Sequence, residues 1–405
     1  MSAYDQHFLM STEEAMAYAV SYLKYFPADA ALECREIGDG NINYVFRVSD
    51  KATGRSLVIK QADVLLRSSG RRLDTRHSRI EAQILAYYGR TAPEYVPALY
   101  DYNEAMCAIA MEDISAYRNM RKGLMDGETY PTFAADIADF MVCTLLPTTD
   151  LVADNKEKKQ NVATYTNPEL CDITERLVLA EPFGIHSENN AVTPGNENFV
   201  RETLYENHAL RAQVGLLRDR FMNHSQALLH GDLHTGSIFA NQKGIKVIDP
   251  EFAFYGPIGY DVGNVIGNLF FAWAYWVSRN DGEASVNYLR QAIADVWSCF
   301  EAAFCREYDR QVKFDLYREE TFQQAYLSDV KADTLGYAGT EIIRRTVGSS
   351  KVPELDAMAP DAKRLSVERA LIDTGAALIM RRHEPLSGEA LTGIMETNLN
   401  RYMSK

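Results

Sequence analysis

Between Leu228 and Glu251 the chain reads Leu-Leu-His230-Gly-Asp232-Leu-His234-Thr-Gly-Ser237-Ile-Phe-Ala, a short Asn-Gln-Lys-Gly turn, and then Ile-Lys-Val-Ile-Asp249-Pro-Glu251. Two apolar, strand-like runs flank a tight turn, which is the pattern of a hairpin. Asp232 precedes the first run, and Asp249 and Glu251 follow the second. A hairpin with this spacing brings three carboxylates to one end, the donor set that a divalent cation and a polarised hydroxyl need.

Three chemistries compete for such a hairpin. His230 and His234 stand four residues apart, the spacing that on a helix makes a zinc-facing pair. Gly231 and the strand-like surroundings disfavour a helix there. A metal-dependent hydrolase would use the three carboxylates alone. Phosphoryl transfer divides them: Asp232 takes the acceptor hydroxyl proton, and Asp249 and Glu251, one residue apart, hold Mg2+. That reading also requires groups elsewhere that hold a nucleotide.

The rest of the chain offers them. Ser11-Thr-Glu-Glu14 is a capping box opening a helix expected to run to about Tyr25, before Pro27. Strand-like runs 32–37 and 42–48 flank Gly38-Asp39-Gly40-Asn41, and a turn at Thr53-Gly54 leads to Ser56-Leu-Val-Ile-Lys60. A glycine-rich tip at Gly40 and Asn41 lets backbone N–H groups approach a phosphate; an ordinary exposed turn is the competing reading. Lys60 supplies a point charge for the α- and β-phosphates. Residues 76–88 follow a helical pattern with Ile80, Ile84, Leu85 and Tyr88 on one face, and 93–102 and 106–111 read as two more strands. From Ser115 onward the pattern is mostly helical, so a boundary is placed near Ile114, giving units 1–114 and 115–405. The long helices expected beyond it are 131–146, 211–224, 262–277, 284–308, 322–347 and 360–382, with shorter pieces in the polar stretch 155–210.

Composition closes off other classes. The 405 residues are 46% hydrophobic and 24% charged, ordinary for a soluble globular chain, and the formal charge is −14. That charge argues against a nucleic-acid or anionic-membrane partner. Val262–Val277 is too short to span a bilayer and carries Asn264 and Asn268. The six cysteines are scattered without a Cys-x-x-Cys pair, and the N-terminus shows no secretory signal, so a cytoplasmic protein with reduced thiols is expected.

His-Gly-Asp232-x-His resembles the catalytic loop of the protein-kinase-like small-molecule kinases. The resemblance implies an α+β, bilobal protein-kinase-like fold: a small antiparallel β-sheet N-lobe with a helix and a larger, mainly helical C-lobe. It implies that Glu81 pairs with Lys60, against the alternative of a solvated surface glutamate. It also implies that Glu112, Asp113 and Ile114 form a hinge whose backbone groups bind the adenine edge of ATP. Asp261 corresponds to an aspartate that receives backbone N–H bonds from the catalytic loop; capping the next helix is its other possible task.

Four stretches narrow the resemblance to the 5-methylthioribose kinases: Gly38-Asp-Gly-Asn-Ile-Asn43, His230 to Phe239, Asp249-Pro250-Glu251 to Asp261, and Glu341-Ile-Ile-Arg344-Arg345-Thr-Val-Gly348. Lys156–Lys159 and Asn167–Glu175 also resemble that family. Ser237 stands where aminoglycoside and choline kinases have a metal-binding asparagine. The resemblance implies Mg2+-dependent transfer of the ATP γ-phosphate to the 1-hydroxyl of 5-methylthioribose, with Asp232 as base and sugar contact. Asn43, Lys60 and the Asp249–Pro250–Glu251 loop then touch ATP, Arg344 and Arg345 reach the sugar hydroxyls or the phosphoryl group, and Ser237 joins Asp249 and Glu251 at the metal. A homodimer is implied as well. One departure stands out: Arg67–Asp74 lacks the tryptophan that the family carries in this loop. Another pentose, a thiosugar or a small hydroxylated or cationic molecule is therefore the alternative acceptor within the same fold, and a non-catalytic nucleotide-binding scaffold is a third reading.

Overall fold

The computed structural model describes residues 3–37, 43–63, 76–279 and 281–403. The turn carrying Gly40 and Asn41 and the stretch 67–74 lie outside the described residues. The chain divides into two units, Met1–Tyr117 with Lys246–Phe252, and Arg118–Ile245 with Ala253–Lys405. The division thus falls after Tyr117, and the segment carrying Asp249 and Glu251 groups with the N-terminal unit.

Strand parity builds the first unit. Its elements are α1 (Thr12–Ser21), β1 (Leu32–Glu36), β2 (Asn43–Asp50), β3 (Ser56–Ala62), α2 (Arg76–Thr91), β4 (Leu99–Asn103) and β5 (Ala108–Glu112). The strands form one antiparallel sheet in the order β1-β2-β3-β5-β4. Alternate residues of a strand face opposite sides. Leu57 and Ile59 of β3, with Phe46 and Val48 of β2, pack with Tyr18 and Ala19 of α1, whereas Val58 packs with Ala82 and Leu85 of α2. Lys60 shares the parity of Val58 and so points to the α2 side. Each fully buried aliphatic side chain contributes roughly 1.5–3 kcal/mol, which makes this alternation hard to reverse. Gln61, fully buried on the α1 side, accepts the Met10 N–H at 3.0 Å and donates to the carbonyls of Phe8 and Met106.

The second unit is mainly helical. It holds β6 (Arg118–Asn119), α3 (Met120–Met125), α4 (Phe133–Leu145), α5 (Asn155–Thr164), α6 (Pro168–Leu179), α7 (Glu197–Val200), α8 (His208–Asn223) and β7 (Ala227–Leu228). The expected hairpin follows as β8 (Ile238–Asn241) and β9 (Gly244–Val247), then β10 (Tyr255–Gly256) and α9 (Gly259–Val277). The remaining helices are α10 (Glu283–Gln311), α11 (Glu320–Val347), α12 (Pro353–Asp356), α13 (Ala362–Met380) and α14 (Gly388–Met403). β8 is the middle strand of a three-stranded sheet, β6-β8-β9, and β10 pairs with β7. Helix α9 is buried almost all round from Gly259 to Ala274. A Cβ at Gly263 would sit 2.7 Å from the backbone of Ala338 and Thr334, so only glycine lets α11 approach this closely.

Three expectations need correction. Helix α1 ends at Ser21, not near Tyr25: Lys24 adopts a left-handed φ of 51°, and Tyr25 N–H returns to the Ala19 carbonyl, closing the helix early. The run 93–102 is not one strand. Pro93–Tyr95 is a single 3-10 turn, and β4 starts at Leu99, after Pro97, which has no N–H for a ladder. Helix α14 was not expected.

Candidate active site

The first unit gathers a charged cluster under the sheet. Lys60 Nζ donates to Glu81 Oε1 at 2.8 Å and to Asp249. Glu81 comes from α2 with Ala82 and Leu85 beside it on the packed side, and the side chains of Lys60 and Glu81 are 8% and 2% exposed. Asn43, on the parity of Lys60, donates to Glu251 Oε2 at 3.1 Å, and His77 Nε2 lies 3.9 Å from the same oxygen. Oxygens of Glu81, Asp249 and Glu251 all lie within 4.8 Å of one another. Asp249 has a left-handed φ of 69°, a conformation that aspartate tolerates better than most residues.

Electrostatics set the charge state of this cluster. Burial, opposed by Lys60 but reinforced by Asp249 and Glu251, pushes the Glu81 carboxyl up to about 8. The Glu251 carboxyl is raised for the same reasons. Burial alone would lower Lys60, but the three carboxylates outweigh it and hold the ammonium well above its ordinary value. Among the described residues Lys60 thus faces three carboxylates, and Glu81 Oε2 is buried without a hydrogen-bond partner. A hard divalent cation fits this all-oxygen donor set.

The second unit holds Asp232. Buried Asp261 accepts the N–H groups of His230 (2.7 Å) and Gly231 (3.0 Å), so it braces the loop as expected from the resemblance. Gly231 takes a φ of 85°, turning the chain so that Asp232 follows. His234 Nδ1 accepts the Ser237 N–H at 3.0 Å. Its proton therefore sits on Nε2, 3.4 Å from Asp232 Oδ2. Burial, with Arg121 and Arg345 nearby, pushes His234 down to about 4 against the pull of Asp232, so the ring is a neutral donor. Ser237 Oγ donates to the Asp232 carbonyl at 3.1 Å, a contact that shapes the loop.

Glu341 and the arginine pair come from α11. Arg345 Nε donates to Glu341 Oε1 at 2.8 Å, and its Nη2 is 3.8 Å from Asp232 Oδ1; Arg344 Nη1 is 3.4 Å from Glu341 Oε2. Burial would raise the Glu341 carboxyl, yet Arg344 and Arg345 hold it down at about 2. Burial likewise works against Asp232, and His234, Arg345 and Arg344 outweigh it, keeping its carboxyl below the ordinary value. Asp232 is thus an ionised acceptor with two donors beside it, His234 Nε2 and Arg345 Nη2. The arginines had been expected to reach substrate; the structure shows that Glu341 sets their direction.

The expected hinge is tied into its own sheet. Glu112 N–H donates to Ala98 O at 2.8 Å, and its carboxylate accepts the Ala98 N–H at 3.0 Å. The Asp113 carboxylate accepts from Arg47 Nε and Ser56 Oγ, both at 2.6 Å; these bonds hold its carboxyl below the usual range despite burial. Ile114 O accepts the Tyr117 N–H at 2.8 Å. Both side chains thus bond within the N-terminal unit, Asp113 to Arg47 and Ser56 and Glu112 to the Ala98 N–H. Pro250 is buried and opens a 3-10 turn with Glu251 and Phe252.

Sequence reasoning missed Arg121, Asn268 and Glu354, which surround the Asp232 loop from α3, α9 and α12. Asn268 and Asn264 were noticed only as polar interruptions of an apolar helix. Nothing in the local pattern around Arg121 or Glu354 marks either.

Residues 33–308 match the model of the phosphotransferase enzyme family APH. The chain is 39% identical over 378 residues to a methylthioribose kinase of Bacillus velezensis, covering 92% of this chain and 93% of the relative. The chain belongs to the methylthioribose kinase family. A methylthioribose kinase of Erwinia tasmaniensis is 34% identical over 396 residues, covering 95% of this chain and 98% of the relative. Among solved structures, a glucosamine kinase bound to glucosamine, ADP and phosphate superposes with a TM-score of 0.49 at 13% identity, covering 98% of this chain and 89% of that one. The protein is a kinase with a mixed α+β fold: an antiparallel five-stranded sheet in its N-terminal unit and a mainly helical second unit. No disulfide links the six cysteines, and among the described residues no helix is long and apolar enough to cross a membrane.

Proposed function

We propose that the protein transfers the γ-phosphoryl group of ATP to the 1-hydroxyl of 5-methylthioribose. The observation that carries this reading is the near-full-length identity to methylthioribose kinases together with Asp232 held between His234 and Arg345. Phosphoryl transfer asks for positioning and charge neutralisation more than for covalent work. Asp232 orients the attacking oxygen and accepts the hydroxyl proton; its depressed pKa suits a late transfer, with the proton passing to Asp232 once the bond from the γ-phosphorus to the ADP oxygen has largely broken. The forks of Arg344 and Arg345 take vicinal hydroxyls or phosphoryl oxygens as bidentate donors. Lys60, kept straight by Glu81, neutralises the α- and β-phosphates. Asp249 and Glu251 would hold Mg2+, which supplies charge neutralisation to the triphosphate when bound. Backbone groups at Asp113 and Ile114 take the adenine edge. A cytoplasmic homodimer remains part of this proposal.

Incubation of the pure protein with ATP, Mg2+ and 5-methylthioribose, followed by phosphorus NMR, tests it. An anomeric 1-phosphate is expected. Exclusive turnover of another pentose, an aminoglycoside or choline would reject the acceptor and keep the kinase.

A further inference from the structure

A closed ring of side chains runs through the second unit and returns to the loop that carries Asp232. From Asp232 it passes to Arg345 (3.8 Å), to Glu341 (2.8 Å), to Asn268 Nδ2 (3.2 Å), and from Asn268 Oδ1 to Arg121 Nη2 (2.6 Å). Arg121 Nε then donates to Thr235 Oγ1 at 3.2 Å, three residues beyond Asp232, and its backbone N–H donates to the Thr235 carbonyl at 3.1 Å. Asn119, the N-cap of α3, adds a bond from Nδ2 to the Gly236 carbonyl at 2.8 Å. Glu341, Asn268 and Thr235 are at most 1% exposed, so solvent does not compete for these bonds.

Glu354 closes the charge balance. It is fully buried, lies 3.3 Å from Arg121 Nε, and neither of its oxygens has a hydrogen-bond partner. Three arginines (Arg121, Arg344 and Arg345) therefore meet three carboxylates (Asp232, Glu341 and Glu354). A buried charge left unpaired is costly, so Glu354 fixes where the Arg121 guanidinium rests. Space is tight on the loop side as well. A Cβ at Gly236 would stand 2.9 Å from the His234 ring and 3.4 Å from Arg121 Nη1, so the loop, histidine and arginine share one packing solution.

We propose that Arg121, anchored by Glu354, is a positioning residue for the phosphoryl transfer. It locks the Thr235 end of the catalytic loop to the same ring of bonds that aims Arg345 at Asp232. Arg121 touches no reacting atom. It acts by keeping Asp232, His234 and Arg345 in one register, and this role rests on reading Asp232 as the group that orients the acceptor. The planar fork matters, because Arg121 serves Thr235, Asn268 and Glu354 at once, which an ammonium cannot do in the same plane.

The variants Arg121→Ala, Arg121→Lys and Glu354→Gln test this by steady-state kinetics, thermal melting and amide hydrogen exchange over 229–237. Arg121→Ala is expected to lower kcat about 100-fold, as loss of alignment does. The KM for ATP should stay within about twofold, because the nucleotide groups are untouched. Arg121→Lys should not recover kcat, whereas millimolar guanidinium added to the folded Arg121→Ala protein should restore part of it. Glu354→Gln, close in shape, should lower kcat about tenfold and speed amide exchange in the loop. Unchanged kcat in Glu354→Gln and Arg121→Lys overturns the proposal, even if Arg121→Ala fails to fold. So does a folded Arg121→Ala protein that guanidinium leaves unrescued. If the wild-type protein phosphorylates no sugar, the functional reading fails instead; loop exchange that is faster in the variants would still support the brace, and unchanged exchange would remove it.

Discussion

Replacing Glu341 by glutamine removes one charge and almost no volume. The native carboxyl is held at about 2 by two arginines despite complete burial, against an ordinary 4.5. That depression corresponds to about 3 kcal/mol of stabilisation at neutral pH, within the range of about 3–5 kcal/mol for breaking a buried ion pair from one side. The sign follows from the direction. The folded pKa lies below the unfolded one, so the contribution is full above about pH 4.5 and fades as pH falls towards 2. Thermal melting of the wild type and Glu341→Gln should differ by about 3–5 °C at pH 7. The gap should be nearly as large at pH 5 and clearly smaller at the lowest pH at which both proteins fold. Activity should fall with stability, since Arg344 and Arg345 lose the anchor that directs them. Equal melting temperatures at pH 7, or a gap that widens on acidification, would refute the electrostatic argument.

Two further outcomes follow from the same geometry. Mg2+ without nucleotide should stabilise the wild type, by about 2.7 kcal/mol at a hundred times its Kd, and the double variant Asp249→Ala, Glu251→Ala should show no such shift in a melting assay. Gly263→Ala puts a Cβ 2.7 Å from the backbone of Ala338 and Thr334, atoms that cannot swing aside, so urea unfolding should show a loss of about 1–3 kcal/mol.

Several pairings at the candidate site were legible because motif order is a local property. Lys60 stands at the end of the expected third strand, and Glu81, weighed beside a plain surface reading, is its 2.8 Å partner. Asp261 likewise appears as the acceptor for the loop N–H groups. The early stop of α1 was not legible, since it depends on Lys24 adopting a left-handed backbone that most sequences give to glycine. The brace was invisible for another reason. Arg121, Asn268, Glu341 and Glu354 come from four helices, and an arginine or glutamate in an amphipathic pattern looks solvated until tertiary packing buries it. The hairpin around Asn241–Gly244 illustrates both halves. Its strands formed as the two apolar runs indicated, yet Asp232 belongs to one unit while Asp249 and Glu251 belong to the other.

The most direct measurement compares the wild type with Asp232→Asn for phosphoryl transfer from ATP to 5-methylthioribose. Product is quantified by phosphorus NMR, and melting temperatures confirm that both proteins are folded. The account predicts 5-methylthioribose 1-phosphate from the wild type and a kcat lower by about 10²–10⁴ in the variant, the span expected for a positioned acid or base. A wild type that makes no 1-phosphate, or an Asp232→Asn protein that turns over at the wild-type rate, would contradict it.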